Sequence, residues 1–285
     1  MMDTAPHSTS HSTAHPASRG AMWLRLLTGG ARPLHDWSTV RACDGILAGR
    51  PARYLAIVPD ADNGFPRARN GEVGLVEGWR LAQAVRDVID EDRDRAVQDK
   101  RPIVAIIDVP SQAYGRREEA YGIHQALAGA VAAYADARRA GHPVIGLIVG
   151  LAMSGAFLAH GYQANRLVAL DDPDVAVHAM GKASAARVTL RSVEALEQLA
   201  ARVPPMAYDI KSFASLGILH EVLRLTNLAL PDEQDLALVH GTLEAALADI
   251  LSDPRRDLAN RLQGAHRGAS RRVRELLATQ WEAAD

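Results

Sequence analysis

This sequence predicts an α/β fold whose sheet is covered by helices, and three observations carry that expectation. Short apolar, β-branched runs at Val144–Val149 and Ile103–Val109 read as buried strands; Pro143 and Gly150 bound the first, and Pro110 ends the second. Each run passes through a turn into a helical stretch. Strands and helical stretches then alternate along the chain, which argues for an α/β domain with both sheet faces occupied.

The elements follow in order. Met1–Gly20 is rich in Ser, Thr and His, with His7, His11 and His15 evenly spaced, and lacks the apolar centre of a secretion signal. A metal-binding tract is one reading; a disordered polar tail is the reading adopted, and 1–20 is left out of the fold. Ala21–Gly49 is mixed, with apolar anchors at Trp23, Leu24, Leu26, Leu27 and Trp37, and Arg53–Val58 reads as a strand. Asp60–Gly71 is a polar loop carrying Arg67 and Arg69. Val73–Lys100 reads as one long helix, with Leu75, Trp79, Ala82, Val85 and Ile89 at helical spacing and a charged, solvated end from Asp87. After the strand Ile103–Val109, the turn Ser111–Gly115 leads into an Ala-rich helix, Arg117–Ala140, ended by Gly141.

The stretch Pro143–Gly161 organises the rest. Its strand runs into Gly150–Ala156, where a helix starts, and a helix start leaves backbone N–H groups unpaired and able to hold a developing oxyanion. Short strands follow near Arg166–Leu170 and Asp174–Ala179, a helix from Met180 to Arg187, and a helix over Ser192–Arg202 capped by Ser192. Asp209–Leu216 is a short helix ended by Gly217, and Leu219–Leu223 is a last strand. From Pro231 the chain is helical, with breaks near Asp253-Pro254 and Gly264. The expected organisation is a tail (1–20), an α/β domain (21–230) and a C-terminal helical extension (231–285).

Composition narrows the function classes. The 285 residues are 48% hydrophobic, enough for a sizeable core. A net charge of −2 with interspersed signs argues against a nucleic-acid partner. The lone cysteine, Cys43, excludes an internal disulfide framework and suits a reducing, cytoplasmic setting, with burial as its expected role. No apolar run reaches the roughly 20 residues needed to span a bilayer. The histidines show no metal-ligand spacing, and no Walker-type loop is present.

Arg101–Gly115 (RPIVAIIDVPSQAYG), followed by Arg116-Arg117-Glu118-Glu119, resembles the carboxyltransferase α subunit of acetyl-CoA carboxylase. So do the Ser154-Gly155-Ala156 turn and Ser215-Leu216-Gly217-Ile218-Leu219. Glu72–Trp79 (EVGLVEGW), Gly150–Gly155 and Ala179–Ala185 (AMGKASA) bring the chain nearer to the γ subunit of biotin-independent malonate decarboxylase. The resemblance covers about 45–223. It implies a crotonase-like superhelix of β-β-α units with added C-terminal helices.

It also implies a reaction: malonyl-S-acyl carrier protein is decarboxylated to acetyl-S-acyl carrier protein and CO2 through an oxyanion-stabilised thioester enolate. The site would be shared with a homologous β subunit, and a separate acyl carrier subunit would carry the phosphoribosyl-dephospho-coenzyme A prosthetic group. This chain would bind no cofactor directly. By the same resemblance the catalytic candidates are Ser154, Gly155 and His178. The substrate-binding candidates are Ser111, Gln112, Ala113, Tyr114, Met153, Gly181 and Lys182, with Arg67 and Arg69 facing the acidic carrier.

Each has a structural alternative. Gly155 also suits close helix–strand packing, Gln112 turn hydrogen bonding, and His178 a satisfied place in the core. Ser111 stands where the carboxyltransferases have Gly, which fits a chain that does not handle biotin. Two rival functions remain at this point. Gly150–Gly161 and Val177–Gly181 also resemble the nucleophile and histidine segments of Clp-type proteases, making Ser154–His178 a possible hydrolase pair with Asp172 or Asp209 orienting the ring. The chain would otherwise be a non-catalytic scaffold completing its partner's pocket.

Overall fold

The structure, a computed structural model, describes residues 18–283. The histidines at 7, 11 and 15 lie outside the described residues. Ser18, Arg19 and Gly20, assigned above to the tail, belong to the fold. The Ser18 hydroxyl accepts from the Ala21 amide and starts α1 (Arg19–Leu27), and Arg19 is ion-paired with Asp172. β1 (Val40–Leu47) and β2 (Arg50–Ile57) form an antiparallel hairpin through Ala48-Gly49, so the mixed stretch holds a strand that its broken apolar alternation hid.

α2 (Leu75–Glu91) leads to β3 (Ile103–Val109), α3 (Arg116–Ala120) and α4 (Ile123–Arg139). β4 (Val144–Met153) runs into α5 (Ser154–Ala159), followed by β5 (Arg166–Leu170) and β6 (Ala176–His178). Then come α6 (Lys182–Val188), α7 (Val193–Ala200), α8 (Ile210–Ser215) and β7 (Glu221–Leu223). α9 (Glu233–Ser252) and α10 (Gly268–Glu282) complete the described chain. None of these helices is long and apolar enough to cross a membrane.

The sheet has 7 strands in the order β1-β2-β3-β4-β5-β7, parallel apart from β1, with β6 attached to the far half of β4. β4 changes partner along its length. Ile145–Ile148 pair with β5, whereas Leu151–Met153 pair with β6. The switch coincides with a register shift against β3 between Ile107 and Val109. Asp108 holds it open: one carboxylate oxygen accepts from the Leu151 amide at 3.2 Å and the other from the Gly20 amide at 3.2 Å. A Cβ at position 150 would overlap that carboxylate, so the chain needs Gly150 there.

Three expectations need correction. The long helix ends at Glu91, and the charged stretch, mostly exposed as expected, nevertheless contains buried Asp92 and Lys100, which form one network with buried Arg101. The Ala-rich helix is two helices, because Gly122 sits at φ 83° between α3 and α4. α9 is not an appendage either, since Val239, Leu243, Ala246, Leu247 and Ile250 are part of the main core. Cys43 is buried, as expected.

His160 makes the core sensitive to acid. Its Nδ1 accepts from the Tyr134 hydroxyl and its Nε2 donates to the Ile106 carbonyl. Burial pushes its pKa down to about 4. A histidine depressed in the folded state adds stability above its ordinary pKa, and that stability is lost as pH falls through the folded value. Between pH 6.5 and about 4 the loss should reach roughly 3 kcal/mol, at about 1.4 kcal/mol per pKa unit. His160→Gln keeps an acceptor and a donor but does not titrate, so thermal melts of the variant should fall less steeply over this range. Parallel curves for the two proteins would remove His160 as the cause.

Candidate active site

The end of β4 is built to present the start of α5. Ser154 takes φ 58°, the left-handed region that non-glycine residues avoid, at the point where strand becomes helix. Strain of this kind costs of order 1–3 kcal/mol and collects at functional sites. Part of what holds the turn is the Ser154 hydroxyl, which donates to the Ala179 carbonyl at 2.8 Å and ties α5 to the chain leaving β6. The first amides of α5 have no acceptor within the helix. That of Gly155 donates to the side-chain oxygen of Gln112 at 2.9 Å.

That contact joins the two turns on which the sequence reading rests. They meet, as expected, but the Gly155 amide is not open: a side-chain carbonyl already sits on it. Beyond it lies a cavity of about 530 Å³ whose lining includes Ser154, Gly155, Phe157, His178, Pro204 and Phe213. On the Gln112 side is a more polar cavity of about 410 Å³, lined by Arg67, Asn70, Glu72, Ser111, Gln112 and Tyr114 among others. Gln112 and Gly155 therefore stand between two pockets.

The remaining candidates fall into two groups. Ser111 donates its hydroxyl to the Gln112 carbonyl, and Tyr114, about half exposed, lies under the Arg67 guanidinium at 5.9 Å. Both border the polar cavity. Ala113 lines the same cavity and also packs: its amide donates to the Val73 carbonyl, and the residue joins Ala68, Leu75, Ile123 and Ala126 in a small second core. Met153 is buried in the β4–β6 ladder. Gly181 is exposed at the cap of α6, and Lys182 is paired with Glu197 at 2.7 Å over the Tyr208 ring, outside the apolar pocket. Met153 lines neither cavity, and Lys182 borders a separate one of about 340 Å³ together with Glu197 and Tyr208.

His178 lines the apolar pocket, with its ring stacked on Tyr208 at 3.8 Å. Its Nδ1 lies 3.0 Å from the Met180 carbonyl and 3.2 Å from the Met180 amide. One nitrogen cannot donate and accept at once; the shorter contact, with Nδ1–H donating, leaves Nε2 without a proton. Burial lowers the pKa, which keeps the ring neutral at neutral pH. Neither Tyr208 nor the Gln112–Gly155 contact was foreseen, and Tyr208 carried no motif that would have pointed to it.

The geometry does not assemble a serine hydrolase. The Ser154 proton goes to Ala179, His178 is held at Met180, Asp209 caps α8 through the Ser212 amide, and Asp172 is paired with Arg19. Among the described residues, no group of His, Cys, Asp and Glu is arranged to hold a metal.

Comparison with known proteins gives a consistent picture. A family model described as the malonate decarboxylase gamma subunit, MdcE, matches residues 68–281. A chain in the crystal structure of a Pseudomonas malonate decarboxylase hetero-tetramer with coenzyme A is 63% identical, with a TM-score of 0.89 over 93% of this chain and 100% of that one. A chain of the Pseudomonas MdcD-MdcE hetero-dimer is 60% identical, with a TM-score of 0.85 over 93% of this chain and 99% of that one. The malonyl-S-ACP:biotin-protein carboxyltransferase MADD of Malonomonas rubra is 36% identical over 160 residues, which is 56% of this chain and only 55% of the relative's length. The transcarboxylase 12S core, at 20% identity and a TM-score of 0.56 over 74% of this chain and 36% of that one, shares the fold.

Proposed function

The chain belongs to the malonate decarboxylase gamma-subunit family, and from that premise we propose that it forms, with a homologous β subunit, the site that converts malonyl-S-acyl carrier protein to acetyl-S-acyl carrier protein and CO2. The observation that carries this reading is the Gly155 amide with an oxygen acceptor 2.9 Å away, at the mouth of an apolar pocket. The Gln112 oxygen marks where a thioester oxygen sits once it takes that place. As CO2 leaves, charge gathers on that oxygen as an enolate, and one fixed donor there is worth about 2.7–4 kcal/mol. His178, which lines the pocket and has Nε2 free of a proton, takes one up from solvent there and relays it to the carbanion carbon.

The Phe157, Phe213 and Pro204 walls suit the acyl-thioester end of the substrate. Relatives solved with coenzyme A and with malonate support that fit. The phosphoribosyl-dephospho-coenzyme A group on the carrier supplies the thiol that bears the malonyl unit. Arg67 and Arg69, both exposed, offer positive charge to the acidic carrier, and a cytoplasmic setting belongs to the same proposal.

The test is reconstitution with the β and carrier subunits, followed by CO2 release from malonyl carrier protein. Ser154→Ala frees the turn from Ala179, and turnover should fall about fivefold with the complex intact, as a net loss of about 1 kcal/mol in site geometry predicts. Unchanged turnover would make the chain a scaffold. Stoichiometric labelling of Ser154 by a fluorophosphonate would restore the hydrolase.

A further inference from the structure

The last helix buries nothing. No residue of α10 is buried, although Val273, Leu276, Leu277 and Trp281 recur on one face at helical spacing and are 55%, 42%, 59% and 78% exposed. Scattered exposed apolar residues need no explanation, but four on one helix stripe do. Arg271, Arg272 and Arg274 flank the stripe. This is the pattern of an amphipathic helix laid into a groove.

The root of α10 says which groove. Arg267 Nε donates to the Leu216 carbonyl at 2.8 Å, and Gly264 packs so closely on Leu216 and Gly217 that a Cβ would not fit. Leu216 itself lines the apolar pocket beside Phe213, and Leu158 on the same lining is 48% exposed. The stripe therefore springs from the pocket rim. A lone stripe is also too small for a stable interface, which buries about 1,200–2,000 Å² in total. An interface that uses the stripe therefore needs further surface, and the exposed Leu158 and the pocket lining at Leu216, where the helix is rooted, offer it. All four apolar residues fall within the length matched by the family model.

We propose that the α10 stripe is an anchor for the β subunit, which takes the helix into an apolar groove with an acidic rim as it closes the pocket. This rests on the hetero-dimer reading above. The test titrates purified β subunit into the full-length chain by calorimetry, comparing wild type with the double variant Leu276→Asp, Leu277→Asp and with Thr279→Ala off the stripe. All three positions are exposed, so the thermal melts should coincide. The double variant should bind at least tenfold more weakly, Leu276→Met with Leu277→Met should restore affinity, and Thr279→Ala should change nothing. Equal affinity of wild type and the double variant overturns the proposal. So does a loss confined to self-association, measured by light scattering, or to carrier-protein binding. A wild-type chain that fails to bind the β subunit at all would instead sink the hetero-dimer reading.

Discussion

Gln112→Glu is expected to lower kcat for malonyl carrier protein about 100-fold in the assembled complex, the scale of losing one oxyanion donor. The Gln112 oxygen rests on the Gly155 amide, and the proposed reaction needs a substrate oxygen in its place. A neutral amide oxygen yields that position easily. A carboxylate would hold the same N–H through a charge-assisted bond, roughly twice as strong, and would set a negative charge against the forming enolate. Gln112→Ala, by contrast, uncovers the amide and should change kcat only a few-fold. Equal losses in both variants would make the glutamine itself a participant in the reaction. No loss in either would remove the Gly155 amide from the mechanism.

How much of this was legible in the sequence depends on how far apart the interacting residues lie. All of β3 and the inner half of β4 were readable because Ile103–Val109 and Val144–Val149 are largely continuous β-branched runs, as fully buried parallel strands are. The outer end of β4 was not. Gly150–Met153 has no strand signature of its own and is extended because Ala176–His178 pairs with it. The two site turns were legible as motifs, yet their meeting point is a side-chain contact across 43 residues that no periodicity encodes. Nor does periodicity reveal the φ of Ser154, which the tertiary structure imposes on a residue with no local preference for it. The helix break at Gly122 was visible as a glycine, but the alanine-rich stretch that follows it outweighed it.

Asp92, just after α2, escaped the sequence reading for a different reason, and it sets up the largest stability effect expected in the fold. Runs such as Asp90-Glu91-Asp92-Arg93 usually mark a solvated face, and Asp90, Glu91 and Arg93 are exposed here, but Asp92 between them is 0% exposed. One carboxylate oxygen accepts from the Arg101 amide at 2.8 Å, and the other accepts from Arg101 Nε at 2.8 Å and pairs with Arg95 at 3.1 Å. Lys100 donates to the carbonyls of Asp92 and Arg93, and Arg101 also meets Glu91. The network closes the loop from α2 into β3, immediately before the strand that carries Asp108 and the Ser111–Tyr114 turn. Asp92→Asn keeps the shape but turns an N–H₂ toward a donor of Arg101 and leaves buried cations short of their counter-charge. Breaking a buried pair from one side costs about 3–5 kcal/mol, so the urea midpoint should fall by a large fraction of the total stability. Because the pair is shielded from solvent, the difference should change little between low salt and about 1 M salt. A loss below about 1 kcal/mol that vanishes with salt would place Asp92 at the surface with the exposed residues around it.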